Sequence, residues 1–564
     1  MPIHTRSLGA AVIALCAAQG AVAGTAPFFH PLQQSVAVAS PNHINELNSP
    51  YQVPAGISQT NLTSMREIEA DVSQSTQRVA AGTSASMWDM FAYDPSGRYI
   101  FIPHETPFGA GVSRYDTVDD TNHLLFAGDS GAGAPGASAA CFSQPLPAER
   151  DPTVPGCEAW DFDFGAFDPS RWTPNGTLIL GEEWTALGRV VEILDPLGPP
   201  PADPIASAAN EGVNWRIIET IAKVAHEGIN FSVKHPNEVI YFIDEWNSGS
   251  IYKLVLKETG NYALGGQTFV LAVDDFVATG GNPAANWNEG SNVAATRFGA
   301  ATWMPITDAD GKQLPGTTWN PFQDGSTSDP RTQPGTRGGR GAADEASGTP
   351  YGRPEDMAIG MLPNGNEILY VTTTSEHALI SIEITGEDTA TVRQFASRNT
   401  PKNVGFLPTT GQLDSPDNVA IDALGNVYIV EDEPNGGNVG GDIWFARDID
   451  NDGVAESLDH FMSLQADGSE ATGMVFHPTD PTRFVVAVMH PDSTDLAAVP
   501  NGFGDALWEY DLTGVVPPSC EGPRSQWMSF DAKSRRWVRA CTTTSDFNFV
   551  KQLDKSTPLS SANP

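Results

Sequence analysis

The sequence predicts an all-β protein, a six-bladed β-propeller with N- and C-terminal extensions and a long inserted loop. One observation is a pattern that recurs six times: an acid, an alternating apolar run, a turn, and a second apolar run. Most copies also end on an acid or a histidine. Apolar runs of period two joined by a turn form an antiparallel hairpin. The second observation is that the copies follow one another through most of the chain, which marks a repeat architecture. For strand pairs the natural repeat is a propeller, whose innermost strands surround a central channel.

The copies, in order, begin with residues 88–105, WDMFAYDPSGRYIFIPHE, and 160–183, WDFDFGAFDPSRWTPNGTLILGEE. Residues 226–245 read HEGINFSVKHPNEVIYFIDE, and 352–376 read GRPEDMAIGMLPNGNEILYVTTTSE. Residues 416–433, PDNVAIDALGNVYIVEDE, and 470–490, EATGMVFHPTDPTRFVVAVMH, complete the set. The entry acids are Asp89, Asp161, Glu227, Glu355, Asp417 and Glu470. If all converge on the channel, they cannot stay ionised together without cations between them. A metal site at the channel mouth is therefore expected.

Residues 1–23 read as a secretory signal peptide: His4 and Arg6, then an apolar run, then Ala21-Val22-Ala23 as a cleavage site. Cys16 follows Leu15 rather than a small residue, which disfavours a lipid anchor, and there is no twin-arginine pair. No later stretch is long enough to span a membrane. The expected location is periplasmic or extracellular, as a monomer. Residues 24–84 read as an arm with one helical possibility near 64–80. Residues 85–515 make the propeller, with an insertion at about 274–349, and 516–564 form a C-terminal extension. The insertion holds Arg331, Arg337 and Arg340, which read as loop decoration in preference to a charged lid.

The net charge of −38, from 31 basic and 69 acidic residues, excludes a general binder of nucleic acid or anionic membrane. Outside the leader, Cys141 with Cys157 and Cys520 with Cys541 flank short segments and read as two local disulfides. The absence of C-x-x-C argues against a thiolate zinc site. Asp448, Asp450 and Asp452, followed by Gly453, have the alternating carboxylates and turn glycine of a calcium loop. Glu456 falls at its ninth position and Asp459 at its twelfth. Neither a Gly-x-Ser-x-Gly elbow nor a Gly-x-x-x-x-Gly-Lys loop occurs, so serine-hydrolase and nucleoside-triphosphatase readings lack support.

Over about residues 88–511 the chain resembles the PhoX-type alkaline phosphatases, exported six-bladed propellers. The likeness rests on His104-Glu105, on residues 176–183 (GTLILGEE), on Ala225-His226-Glu227 with Asp244-Glu245, and on Arg353-Pro354-Glu355. Asp417-Asn418, Glu431-Asp432, residues 470–473 and His490-Pro491 continue it in order. The resemblance implies calcium and iron ions held mostly by glutamates and one cysteine, acting on a small anionic phosphate ester. It makes Glu182, Glu227 and Glu355 metal ligands and Arg353 the phosphate clamp. Asp417 and Glu470 are further expected metal ligands, and His104, Glu105, Asp244, Glu245, Glu431 and His490 are candidates for an additional site. Gly181 stands where the family has its iron-ligating cysteine, which makes calcium the expected ion and puts iron in doubt. Two other readings stand beside this one: a calcium-dependent propeller hydrolase (lactonase or phosphotriesterase type) using Asn418, and a non-catalytic calcium-binding propeller.

Overall fold

The computed structural model describes residues 28–36, 43–71, 86–106, 109–128, 162–183, 188–322, 337–432, 441–466, 468–491, 502–515, 528–531 and 536–539. The signal peptide, Asp161, Arg331 and Cys141, Cys157, Cys520 and Cys541 lie outside the described residues.

Alternating apolar residues build the six hairpins. They are Ala92–Tyr93 with Tyr99–His104, Phe167–Trp172 with Leu178–Glu182, and His226–Phe231 with Val239–Asp244. Then come Pro354–Met361 with Glu367–Thr373, Pro416–Ile421 with Val427–Glu431, and Glu470–Phe476 with Arg483–Met489. All are antiparallel. The second strand of each is buried on both faces, because alternate side chains serve two different neighbours. Ile240 and Phe242 pack toward the second hairpin, whereas Tyr241 and Ile243 pack toward the fourth. Leu369 and Val371 face the third hairpin, while Ile368 and Tyr370 face the fifth.

Six apolar clusters arise this way among the described residues, each between consecutive hairpins. The last joins Trp88, Phe91, Ile100 and Ile102 of the first copy to Val485 and Ala487 of the sixth, so the ring closes. Closure is reinforced by the N-terminal segment. Ser58–Ser64 pairs with Ala506–Asp511 in the sixth hairpin's sheet, and Tyr51–Gln52 extends the fifth's. The arm read at 24–84 is thus partly built into the sheets. The helix expected near 64–80 is seen as Met65–Asp71.

The arrangement is propeller-like and almost all β, with described helices of 8 residues or fewer. It differs from the expectation of six separate blades. There are three sheets of four strands, one of five and one of nine, besides a two-stranded C-terminal ribbon. The nine-stranded sheet holds both the third and the fourth hairpin. Its cause is Gly299–Pro305, which pairs with Gly266–Val273 on one side and Thr389–Ser397 on the other. An exposed sheet edge is an open row of hydrogen-bond donors and acceptors, and this strand satisfies two such edges at once.

The insertion is therefore not only loop. Its helix Gly338–Glu345 buries Arg340, whose guanidinium donates to both oxygens of Asp244 at 2.6 and 2.7 Å. Arg340 holds the insertion to the third hairpin and is not a free lid charge. No helix among the described residues is long and apolar enough to cross a membrane.

Candidate functional site

A short backbone device at the start of the first five hairpins aims their acids. Met87, Ala166, Arg353 and Ser415 all have positive φ, between 38° and 53°. Their carbonyls accept from the N–H groups of Glu105, Glu183, Thr374 and Asp432, and Ala225 accepts likewise from Glu245. Two residues after each of these carbonyl positions stands an acid: Asp89, Asp168, Glu227, Glu355 and Asp417. Register irregularities follow at once in the second, third, fourth and fifth hairpins. Such bulges re-aim a side chain, and they are frequent at functional sites.

At the exits, strand parity divides each pair of polar residues. The first of the pair turns into the sheets and is satisfied there. His104 bridges the hydroxyls of Ser86 and Ser113, both at 2.8 Å. Glu182 accepts from the Arg189 guanidinium through both oxygens, at 2.6 and 2.9 Å. Asp244 holds Arg340 as described, and Glu431 accepts from Trp444 Nε1 at 2.7 Å. All four are held within the sheets by protein partners. The second of each pair, namely Glu105, Glu183, Glu245 and Asp432, belongs instead to the acidic centre. Burial raises Glu105, Glu183 and Asp432, and other carboxylates around the channel raise them further. The entry acid Asp168 and the exit acids Glu183 and Asp432 were not among the expected site residues. Counting strand parity outward from Glu182 and Glu431 would have found the latter two.

Within the centre, ligand atoms of Glu183, Glu227 and Glu245 lie within 4.8 Å of one another, as do those of Glu227, Glu355 and Asp417. Glu227 belongs to both groups. Asp168 Oδ1, Glu227 Oε2 and Asp417 Oδ1 are buried with no hydrogen-bond partner. Burial, then mutual repulsion, pushes Asp168, Glu227 and Asp417 well above the usual carboxylate range. Burial raises Asp89 to about 7, Glu105 to about 8 and Glu355 to about 7. Repulsion adds to each of these shifts, partly offset at Glu355 by Arg353. Buried oxygens with no donor suit a hard divalent cation such as calcium, which takes six to eight oxygen ligands. Neither group contains sulfur or nitrogen. A Cβ at Gly181 would fall 2.8 Å from His226 Cβ and 3.0 Å from Pro169 Cγ. The residues present therefore fit calcium and offer no thiolate for an iron.

Arg353 stands at the mouth with its side chain 40% exposed. It pairs with Glu245 and, at 3.2 Å, with Glu355. Deeper in, Arg171 pairs with Asp356 at 2.7 Å. Asn418 donates to Asp89 Oδ1 at 2.9 Å and accepts from the Gly473 N–H, so its amide is already engaged.

The sixth hairpin departs from the others. Glu470 pairs across the strands with Met489, and the position matching the other entry acids is Ala471. Glu470 pairs with His490 at 2.9 Å and also lies against Asp432. The Glu470 carboxylate raises His490 to about 9, against the lowering effect of burial.

Away from the channel, Asp448, Asp450, Asp452 and Glu456 bring ligand atoms within 4.8 Å of one another. Gly453, at φ 85°, makes the turn, and its N–H donates to Asp448 at 2.8 Å. Asp459 does not join them, because its carboxylate is buried against Arg447 at 2.7 Å. Asp450→Ala is expected to remove a calcium-dependent gain in melting temperature of about 1–3 °C. The comparison is a thermal scan with and without chelator, and an unchanged calcium-dependent gain would show that the loop takes no ion.

A propeller-like ring around a buried carboxylate centre with an arginine at its mouth defines a class of proteins able to hold cations in the channel. Within that class, the chain belongs to the alkaline phosphatase PhoX family, whose model matches residues 208–492. In fold it is similar to Pseudomonas fluorescens PhoX, a structure solved in complex with vanadate, a transition state analogue. That similarity covers 86% of this chain and 98% of that one, at 14% identity and a TM-score of 0.52. A gluconolactonase from Xanthomonas campestris covers 86% of this chain and 97% of its own, at 9% identity and a TM-score of 0.34. It superposes too loosely to bear on function. No curated protein sequence matches the chain.

Proposed function

We propose that the chain is an exported, metal-dependent phosphoesterase that hydrolyses small phosphate esters at the channel mouth. The observation that carries this reading is the pair of acid groups sharing Glu227, with Arg353 beside them. Glu183, Glu227, Glu245, Glu355 and Asp417 would hold the cations, and Asp89, Asp168, Glu105 and Asp432 would complete the negative field around them. Bound cations supply Lewis acidity toward phosphoryl oxygens and lower the pKa of a bound water.

The chain's own residues do the rest. Arg353 offers a planar fork that fits two phosphate oxygens. Glu245 and Glu355, once shared with a cation, hold Arg353 less tightly and leave its guanidinium for substrate. The engaged amide of Asn418 counts against a lactonase-type centre that would need it as a ligand. The nine-stranded sheet reads as two blades joined at their outer edges, which makes six blades in all. A monomer in the periplasm or outside the cell, with disulfides Cys141–Cys157 and Cys520–Cys541, completes the proposal.

Arg353→Lys tests it. The substitution should retain bound cation but weaken inhibition by inorganic phosphate about ten-fold, since one charge-assisted hydrogen bond is lost. Equal inhibition constants for both proteins would remove Arg353 from the phosphate site. A purified protein with no chelator-sensitive phosphatase activity would reject the reading as a whole.

A further inference from the structure

Resting on the phosphoesterase reading, we infer that the mouth carries an aromatic subsite, built on Trp246, for phosphate esters whose alcohol part bears a planar ring, such as nucleotides. Trp246 directly follows the channel acid Glu245, and its carbonyl accepts from the N–H of Arg353 at 3.1 Å. The indole is 38% exposed. Exposure of one apolar side chain is ordinary by itself. Here the ring is also held in place.

The Arg340 guanidinium lies 4.6 Å from the ring centroid. That guanidinium is 1% exposed and is fixed by the two oxygens of Asp244. Trp246 is thus backed by a fixed cation, its indole is partly exposed, and its backbone is bonded to that of the arginine assigned to phosphate. An aromatic platform fixed in advance loses little freedom when a ring stacks on it.

The insertion adds a second indole to the same rim. The backbone N–H of Trp287 donates to the carbonyl of Asn247, next to Trp246, at 2.7 Å. Its ring lies against Gly352, next to Arg353, where a Cβ would fall 2.5 Å from Trp287 Nε1. Gly352 is therefore required for this approach. Arg297 sits 5.6 Å from the same ring and is locked by Glu376 through two bonds of 2.7 Å. Two tryptophans, each with a pinned arginine nearby, flank the Gly352–Arg353 segment. This gives the insertion a role: it completes a binding wall next to the phosphate position and supplies Arg340, which steadies Trp246.

Hydrolysis of AMP and of ribose 5-phosphate isolates the ring, since both esters present a primary phosphate on ribose and only AMP carries a base. The wild type should show a KM for AMP about ten-fold below that for ribose 5-phosphate, the scale of one base stacked on an aromatic side chain. Trp246→Ala should abolish that difference, and Trp246→Phe should restore most of it. Equal KM values in the wild type, or a preference that survives in Trp246→Ala, would overturn the subsite while leaving the phosphoesterase reading intact. A wild type that hydrolyses neither ester would instead overturn the reading on which the subsite rests.

Discussion

Chelating divalent cations should lower the melting temperature, and by more at pH 8 than at pH 5. In the cation-free fold Asp89 titrates at about 7, Glu105 at about 8 and Glu355 at about 7. In the unfolded chain such groups titrate at about 4. The folded state therefore holds protons that the unfolded state has released. Its stability from these groups is fully present below about pH 4 and is lost as pH rises through 7–8. A cation replaces the protons, and it binds more tightly as their competition fades. The gap between loaded and chelated protein consequently widens with pH, to upwards of about 5 °C at pH 8. The raised His490 also gives stability, lost only as pH passes about 9, above the range scanned. Scanning calorimetry from pH 5 to 8 reads the effect. A chelator shift that is absent throughout, or larger at pH 5, would contradict a cation-filled centre.

Glu227→Gln should cost more activity than any other single change at the centre, about 100-fold or more, because a direct ligand outweighs its supporting contacts. Glu227 is the one residue that both acid groups use. The amide keeps the volume but removes the charge, so both groups weaken together. In chelator, the same substitution removes one repelling carboxylate, and the melting temperature should hold or rise. That opposite sign separates loss of a ligand from loss of folding. Glu182→Gln provides the contrast. It disrupts a buried pair with Arg189 and should destabilise loaded and chelated protein alike, by about 3–5 kcal/mol. Metal analysis of Glu227→Gln alongside its kinetics decides the matter. Full metal content with unimpaired activity would place the working site elsewhere.

Much of this was legible from the chain alone. Alternation of period two and a turn in each copy are local properties, so the six hairpins could be read directly, and so could the entry positions of Asp89, Glu227, Glu355 and Asp417. The Asp448 loop was equally plain, because its ligands lie within a few residues of one another. What the sequence could not give was the direction of each polar side chain at a strand end. Glu182 and Glu183 are chemically the same, and only pairing with the neighbouring strand decides that the first meets Arg189 while the second joins the acidic centre. The same parity separates Asp244 from Glu245 and Glu431 from Asp432. Asp459 fits the calcium spacing yet faces Arg447, a partner across two paired strands. The insertion looked like loop because its Gly299–Pro305 strand gains its hydrogen bonds from edges that only the closed ring brings together. The sequence by itself determined the strands, the turns and the store of acids. Tertiary pairing decided which acids face one another, since a strand points alternate side chains in opposite directions and its neighbours choose which direction is the channel.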